Sequence, residues 1–265
     1  MMNMTTSILC RRLGIVDSRC VEIESKKRIM PEEAEDIRKY LLKRKNVVHV
    51  KRAAFFDQFL DTPGLDLLKR GASLRLRYKG DGSSVYLQYK GPGFYEGGLL
   101  YRSEFSSERL DHLVREESHH DIVRFGKHSI RDILKMVDPG MSEAMRRHLG
   151  SAVLRDISRG PILCAYQKDK FRVDLGSAFL EPSLDRLFAF HISRSGPHAL
   201  STFWEYENEI KTKDEDAESK LELLDDLREF DAALSRKFDL RPERIDKYHR
   251  CASYFLPRRK IRGRF

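Results

Sequence analysis

The chain has 265 residues and a net charge of +9 at neutral pH, with 50 Lys and Arg against 41 Asp and Glu. A hydrophobic share of 40% argues against intrinsic disorder, and this length suits one large domain or two small ones. No apolar run reaches the roughly 18 residues of a membrane span, so no membrane partner is expected. The four cysteines form no C-x-x-C pair, which indicates neither a zinc site nor a disulfide framework and favours a cytoplasmic protein.

The first half of the chain is dominated by predicted strands. Residues 19–27 alternate between apolar and charged side chains, which is the period of a strand with two different faces. A helix is expected to follow, because Pro31 and the glutamates after it suit a helix start. Further strands are predicted at residues 47–60, 73–78, 85–90 and 99–106, with a hairpin turn at Asp81-Gly82.

Residues 107–160 differ from the strands on either side and predict a helical insertion. Two short amphipathic pieces, near 129–137 and 141–149, flank Asp138-Pro139-Gly140. Eight strands joined mostly by hairpins indicate an antiparallel sheet in an α+β protein, and closure into a barrel would remove its edges. The remaining elements are strands at about 162–175, 179–192 and 202–212 and helices at about 214–237 and 243–255.

Most of the predicted strands carry charged residues two positions apart, and therefore on one face. These rows include Glu22, Glu24 and Lys26; Arg75 and Arg77; Arg102 and Glu104; Lys168, Lys170, Arg172 and Asp174; and Glu205, Glu207, Glu209 and Lys211. The wet face of an open sheet would explain any single row. If the sheet closes, the rows point inward and line a cavity with both signs of charge. Such a cavity suits a polyphosphate bound together with a hard divalent cation, Mg²⁺ or Mn²⁺.

An ordered series of motifs resembles the CYTH superfamily, the triphosphate tunnel metalloenzymes. It covers most of residues 19–250 apart from the insertion. The resemblance implies a closed eight-stranded antiparallel β-barrel that forms a triphosphate tunnel, with flanking helices and the helical insertion. The motifs are Glu22-x-Glu24-x-Lys26, Phe59-Leu-Asp-Thr-Pro-Gly64, Leu67 to Arg77, Tyr89-Lys90-Gly-Pro, Tyr101-Arg102-Ser-Glu104, Leu184-Asp185, Glu207-Asn-Glu209-Ile-Lys211 and Asp246-Lys247-Tyr248.

The resemblance also implies roles for individual residues. Glu24, Lys26 and Arg77 are the expected catalytic residues. The expected phosphate-binding residues are Lys26, Arg75, Arg77, Lys90, Arg102, Arg172, Lys211 and Lys247. The expected metal ligands are Glu22, Glu24, Glu104, Asp185, Glu207 and Glu209, for one ion that neutralises the triphosphate and a second that activates water.

Two assignments stay open at this point, and two positions depart from the family pattern. Lys168, Lys170 and Arg172 share a face of the sixth strand, and Arg172 is favoured as the phosphate ligand. Glu205 replaces Glu207 or Glu209 if the strand register slips by two. The departures are Ser106, where many relatives are acidic, and Asp246, where Ser is commoner.

The leading functional hypothesis is divalent-metal-dependent hydrolysis of inorganic tripolyphosphate in the tunnel. The alternatives are a class IV type adenylate cyclase, a thiamine triphosphatase, or a non-catalytic polyphosphate- or nucleotide-binding module. Nucleic acid is not an expected partner, because the strands lack an aromatic and basic platform; a homodimer stays open. The expected organisation is an extension at 1–18, a tunnel domain at 19–256 and a basic tail at 257–265.

Overall fold

The computed structural model describes most of the chain as strands and helices around one ring. No helix in the described part of the chain has the length and apolar character to cross a membrane. The predicted turn at Asp81-Gly82, part of the predicted insertion (111–129) and the tail (257–265) lie outside the described residues. The described residues are 4–80, 84–110, 130–135, 137–176, 178–193, 195–238 and 240–256.

The bounds of the strands are as follows. They are β1 (Val21–Ile29), β2 (Val47–Asp61), β3 (Ser73–Lys79), β4 (Val85–Lys90), β5 (Phe94–Glu96), β6 (Leu99–Ser106), β7 (Ser158–Asp174), β8 (Ala178–Ser193), β9 (Gly196–Thr212) and β10 (Arg241–Pro242). The helices are α1 (Thr6–Leu13), α2 (Pro31–Lys43), α3 (Asp66–Lys69), α4 (Ile130–Lys135), α5 (Pro139–Asp156), α6 (Ala217–Glu222), α7 (Leu224–Phe238) and α8 (Lys247–Ser253).

Eight of these strands close into an antiparallel ring. Their order is β1-β9-β8-β7-β2-β3-β4-β6, and β6 pairs back to β1. In this closing ladder Glu22 lies opposite Arg102, while the far half of β1 pairs with β9, where Lys26 lies opposite Glu207. Strands β5 and β10 are short additions to β6 and β1. The predicted α+β fold with a closed eight-stranded antiparallel sheet is therefore confirmed.

Strand β1 of the ring is buried on both of its faces. On β1, six consecutive residues from Val21 to Lys26 are buried, because alternate side chains point outward to an apolar layer or inward to the ring. The apolar layer joins Ile23 of β1 to Ile37 and Leu41 of α2 and to Leu227 of α7. Helices thus cover the outside of the sheet, and the charged faces are left to line its interior.

Several element boundaries differ from those predicted. The predicted extension contains α1, which Thr5 caps by accepting the N–H of Ile8 and which buries Leu9 and Leu13. Strand β7 begins at Ser158, earlier than expected. The single helix predicted over 214–237 is two helices, because Leu223 leaves the first in a tight turn, its N–H donating to the Lys220 carbonyl at 3.3 Å.

The described part of the insertion is helical, as predicted, and it packs back on the ring. His148 of α5 lies between two elements: its Nδ1 is 2.9 Å from the Tyr89 hydroxyl on β4, and its Nε2 is 2.8 Å from the Leu13 carbonyl of α1. Met141 and Leu149 of the same helix are buried. The insertion therefore forms part of the outer apolar layer.

Candidate active site inside the strand ring

The inward faces of the ring strands line a cavity of about 240 Å³. This volume is below the roughly 300–1,000 Å³ of sites for drug-sized ligands, so it suits a small anion. Seven of the eight predicted phosphate-binding residues line it: Lys26, Arg75, Arg77, Lys90, Arg102, Lys211 and Lys247. Five of the six predicted metal ligands line it as well: Glu22, Glu24, Glu104, Glu207 and Glu209.

Arg172 is the predicted phosphate ligand that the structure does not place in the cavity. Its side chain is 44% exposed, its Nε donates to Asp174 at 2.5 Å, and its guanidinium lies 4.2 Å from the centre of the Phe179 ring. Arg172 pairs with the exposed Val48 near the start of β2, at the edge of the ring. Its neighbours on the same face, Lys168 and Lys170, lie further inside and line the cavity instead.

Three carboxylates from three strands form what we call the mouth cluster: Glu22 of β1, Glu104 of β6 and Glu209 of β9. Their oxygen atoms lie within 4.8 Å of one another. The side chains of Glu104 and Glu209 are 23% and 18% exposed, so this is the more open end of the cavity. Lys90 contacts Glu22 at 2.6 Å and Glu104 at 3.1 Å, whereas Lys211 contacts Glu209 at 2.5 Å.

The mouth carboxylates differ in how their charge is balanced. Burial raises the pKa of Glu209 to about 7, and the neighbouring charges of Glu22 and Glu104 add to this rise. Burial alone would also raise the pKa of Glu22, but Arg102 and Lys90 outweigh it and hold this pKa well below its usual value. Of these two carboxyl groups, Glu209 therefore takes up a proton more readily, whereas Glu22 is held in its charged form.

A second group of three carboxylates, the inner cluster, consists of Asp185 of β8 and of Glu205 and Glu207 of β9. Their oxygens also lie within 4.8 Å of one another, and the side chains of Asp185 and Glu205 are fully buried. One ammonium group contacts all three: Lys247 Nζ lies 3.0 Å from Asp185, 2.6 Å from Glu205 and 2.5 Å from Glu207. Lys168 adds a second cation, 2.9 Å from Glu207.

The inner cluster shows the direction in which the acidic side chains of β9 point. Glu205, Glu207 and Glu209 all face inward. Glu205 is therefore an additional inward carboxylate, and no slip of the strand register is needed to place it there. Burial alone would lower the pKa of Lys247, but the carboxylates around it outweigh this effect and raise the pKa well above its usual value. The ammonium of Lys247 is therefore charged at the centre of the cluster.

Glu24 lies in neither cluster. It accepts a hydrogen bond from Arg102 Nη2 at 2.6 Å and lies 3.5 Å from the ammonium of Lys26. All three side chains are almost completely buried. Within the described residues, the contacts of Glu24 are with cations that line the cavity, so its place here is between two of the predicted phosphate-binding groups.

Helix α8 is fixed against α3 by its own first turn. Asp246 caps it by accepting the N–H of His249 at 2.8 Å, and it also bonds the His249 ring through Nδ1 at 2.9 Å. His249 Nε2 lies 2.6 Å from the Leu68 carbonyl. Because a carboxylate and a carbonyl only accept, both ring nitrogens donate and His249 is an imidazolium. Burial opposes this charge, but Asp246 outweighs it and raises the pKa of His249.

Two residues that contact the arginines of the site, Asp57 and Tyr166, are not among the predicted site residues. Asp57 of β2 is fully buried and pairs with Arg75 and Arg77. Tyr166 of β7 accepts a hydrogen bond from Arg77 and lines the cavity. Spacing could have found both, because Asp57 is two residues before Phe59 and Tyr166 is two residues before Lys168 on inward faces.

Comparison with known proteins adds a match to a family model and a shared fold. The CYTH domain model matches residues 21–139. A Hippeastrum protein described as a candidate adenylyl cyclase with a dominant triphosphatase activity is similar in structure over 89% of this chain and 98% of its own, at 16% identity and a TM-score of 0.53. A chain of the Schizosaccharomyces pombe Mediator head module aligns over 83% of this chain and 97% of its own, at 12% identity and a TM-score of 0.47.

The search among curated proteins found no match. At 16% identity the Hippeastrum structure shows a shared fold, and the family match rests on sequence over the strands from β1 to β6. These strands hold the Glu22-x-Glu24-x-Lys26 motif and both arginines of β3. The resemblance predicted from the sequence is thus confirmed over residues 21–139, which match the CYTH domain model.

Proposed function

We propose that the protein is a divalent-metal-dependent triphosphatase whose preferred substrate is inorganic tripolyphosphate. The observation that carries this proposal is the composition of the ring cavity, which is lined by nine Lys and Arg side chains and seven Asp and Glu side chains. Buried charges of one sign are costly without partners, and here the two signs alternate around a small cavity. A polyanion bound together with a cation would keep that balance.

The cations are arranged to contact a phosphate chain from several sides. Arg75 and Arg77 come from β3, Lys168 and Lys170 from β7, and Lys211 from β9. Arginine can bind phosphate oxygens in a bidentate manner, and fixed cations that meet the charge developing on the equatorial oxygens favour phosphoryl transfer. Lys26 and Arg77 are proposed to hold the phosphoryl group that is cleaved, with Glu24 keeping Lys26 and Arg102 in place.

The mouth cluster is the proposed metal site. It offers three carboxylate oxygens, the hard ligands that Mg²⁺ and Mn²⁺ prefer, and among the described residues no single cation contacts all three of its members. The inner cluster differs, because Lys247 contacts each of its carboxylates. A divalent ion in the mouth cluster would neutralise phosphate charge and lower the pKa of a bound water.

The cavity size favours tripolyphosphate over larger triphosphates. About 240 Å³ is room for a phosphate chain, whereas the base of a nucleotide or the rings of thiamine would have to remain at the open end. The Hippeastrum protein with a similar fold is described as having a dominant triphosphatase activity, which supports hydrolysis over cyclisation. The cyclase and the non-catalytic binding module are the alternatives that an experiment has to separate.

The test is a substrate panel with two metals. Phosphate release is measured with tripolyphosphate, ATP and thiamine triphosphate, each with Mg²⁺, with Mn²⁺ and with EDTA, and cyclic AMP is measured with ATP. We expect the highest kcat/KM with tripolyphosphate and no turnover with EDTA. Cyclic AMP formation would replace the proposal with a cyclase. Tight binding of tripolyphosphate without phosphate release under any condition would indicate a non-catalytic binding module.

A further inference from the structure

We propose that Asp57 is a positioning residue that holds two arginines of the cavity in the orientation needed to receive a phosphate group. The inference deepens the proposed function and rests on it, since the arginines concerned are among the proposed phosphate ligands. Asp57 lies on β2, its side chain is fully buried, and the sequence motifs do not include it. Its role would be exerted through Arg75 and Arg77 and not by contact with substrate.

The register of β2 and β3 brings the three side chains together. Asp57 of β2 lies directly opposite Arg77 of β3. Arg75 is two residues before Arg77 on β3 and therefore lies on the same face. Oδ1 of Asp57 accepts from Arg77 Nε at 2.8 Å, and Oδ2 accepts from Arg77 Nη2 at 2.9 Å. Oδ2 also lies 2.9 Å from Arg75 Nη1. A single carboxylate thus makes a bidentate pair with one guanidinium and holds a second beside it.

These contacts fix which N–H groups are left for a ligand. In Arg77, Nε and Nη2 are engaged by Asp57, and Nη2 also donates to the Tyr166 hydroxyl. In Arg75, Nε and Nη2 donate to Gln88 at 3.2 and 3.1 Å. A guanidinium has five N–H donors in a rigid plane, so fixing part of the plane directs the rest. Among the described residues, Nη1 of Arg77 keeps both of its N–H groups for the cavity.

A purely electrostatic role for Asp57 predicts the opposite result from a positioning role. If the carboxylate only reduces positive charge, its removal strengthens the field on an anion and tightens binding. If it positions the arginines, its removal leaves two adjacent guanidiniums without their shared partner. They then separate, and anion binding weakens even though the net charge has risen. The sign of the change in affinity distinguishes the two roles.

Asp169 supplies a matched control outside the cavity. It is also buried, and it also holds two arginines, Arg38 at 3.1 Å and Arg52 at 2.8 Å. Its two arginines do not line the cavity, whereas Arg75 and Arg77 do. The substitution Asp169→Asn therefore removes the same charge from a carboxylate with two guanidinium partners, without changing the proposed phosphate ligands.

The experiment measures tripolyphosphate binding by calorimetry, with and without Mg²⁺, for the wild type, Asp57→Asn and Asp169→Asn. We expect Asp57→Asn to weaken binding about tenfold or more. We expect Asp169→Asn to stay within about twofold of the wild type. Equal or tighter binding by a folded Asp57→Asn variant would overturn the inference alone. A wild type that does not bind tripolyphosphate would overturn the proposed function and the inference with it.

A second variant keeps the test valid if Asp57→Asn does not fold. Arg75→Gln removes one of the two guanidiniums, so Asp57→Asn in that background leaves a single buried arginine instead of a repelling pair. A positioning role predicts that the double variant binds tripolyphosphate more weakly than Arg75→Gln alone, because Arg77 loses its bidentate partner. Binding equal to that of Arg75→Gln would contradict the inference.

Discussion

The mouth cluster and the inner cluster have the same number of carboxylates and differ in the position of their cations. In the mouth cluster, the three carboxylates are divided among Lys90, Arg102 and Lys211. In the inner cluster, one ammonium contacts all three. A count of acidic side chains therefore does not identify a metal site. The place of the nearest fixed cation decides whether a divalent ion is needed to balance the charge.

The difference follows from the elements that build each cluster. Asp185 and Glu205 lie directly opposite each other on β8 and β9, a like-charge pair that is unfavourable without a cation between them. Helix α8 supplies that cation through Lys247. The mouth cluster draws on β1 and on both of its neighbours, β6 and β9, and its residues reach the open end of the cavity. Its cations come from within the sheet and are not held by a helix.

The sharpest test of the comparison is the substitution Lys247→Ala. It removes the ammonium from the centre of the buried inner cluster, and breaking such a buried group costs about 3–5 kcal/mol. We expect this fall in the free energy of unfolding, measured with urea in EDTA. Because three carboxylates are then left without their shared cation, Mn²⁺ should restore part of the loss. Lys211→Ala in the mouth cluster is the control. An equal fall in its free energy of unfolding would show that the two clusters do not differ in how they depend on their cations.

A smaller effect is expected from single carboxylate substitutions on Mn²⁺ binding. Glu209→Gln should weaken Mn²⁺ affinity about 100-fold, or about 2.8 kcal/mol, because it removes one of three proposed ligands. Glu205→Gln should leave the affinity within about threefold, since Lys247 already balances the inner cluster. Calorimetry or electron paramagnetic resonance of Mn²⁺ gives both values without turnover. The reverse pattern would place the ion in the inner cluster.

The smallest expected effect concerns the edge of the ring. Arg172→Ala removes a half-exposed ion pair with Asp174, and such pairs contribute about 0–1 kcal/mol. We expect little change in unfolding free energy and no change in the KM for tripolyphosphate. Lys168→Ala, on the same face but inside the cavity, should raise the KM. A raised KM for Arg172→Ala would show that the substrate reaches beyond the cavity.

Much of this fold could be predicted from the sequence, because the period of two in the charged rows specifies both the strands and the face that each row occupies. The motifs also include all three members of the mouth cluster. The preference for Arg172 over Lys168 and Lys170 is not supported by the structure, because the inward position depends on where β7 passes the end of β2. That pairing contains a register shift between His49 and Lys51.

The inner cluster and the carboxylate–arginine group at Asp57 were harder to predict for a different reason. Lys247 meets its carboxylates through the packing of α8, and the strand pattern carries no information about that contact. Asp57 lies on the correct face of its strand, but nothing in a single sequence states that Arg77 lies opposite it. In both cases the missing information was the pairing of elements that are distant in the chain.

The double pairing of β1 has a consequence for how the protein acquires its site. This strand bonds to β6 through its first half and to β9 through its second, and Glu22 and Arg102, which meet across this seam, are 80 residues apart in sequence. Contacts of such long range slow folding, because the intervening chain must lose conformational entropy before the contact forms. Without this seam, the other pairings leave one open sheet with β1 near one edge and β6 near the other, so Glu22 and Glu104 of the mouth cluster lie far apart. The closed cavity therefore requires the pairing of β1 with β6, and a bound polyanion would stabilise the closed ring alone.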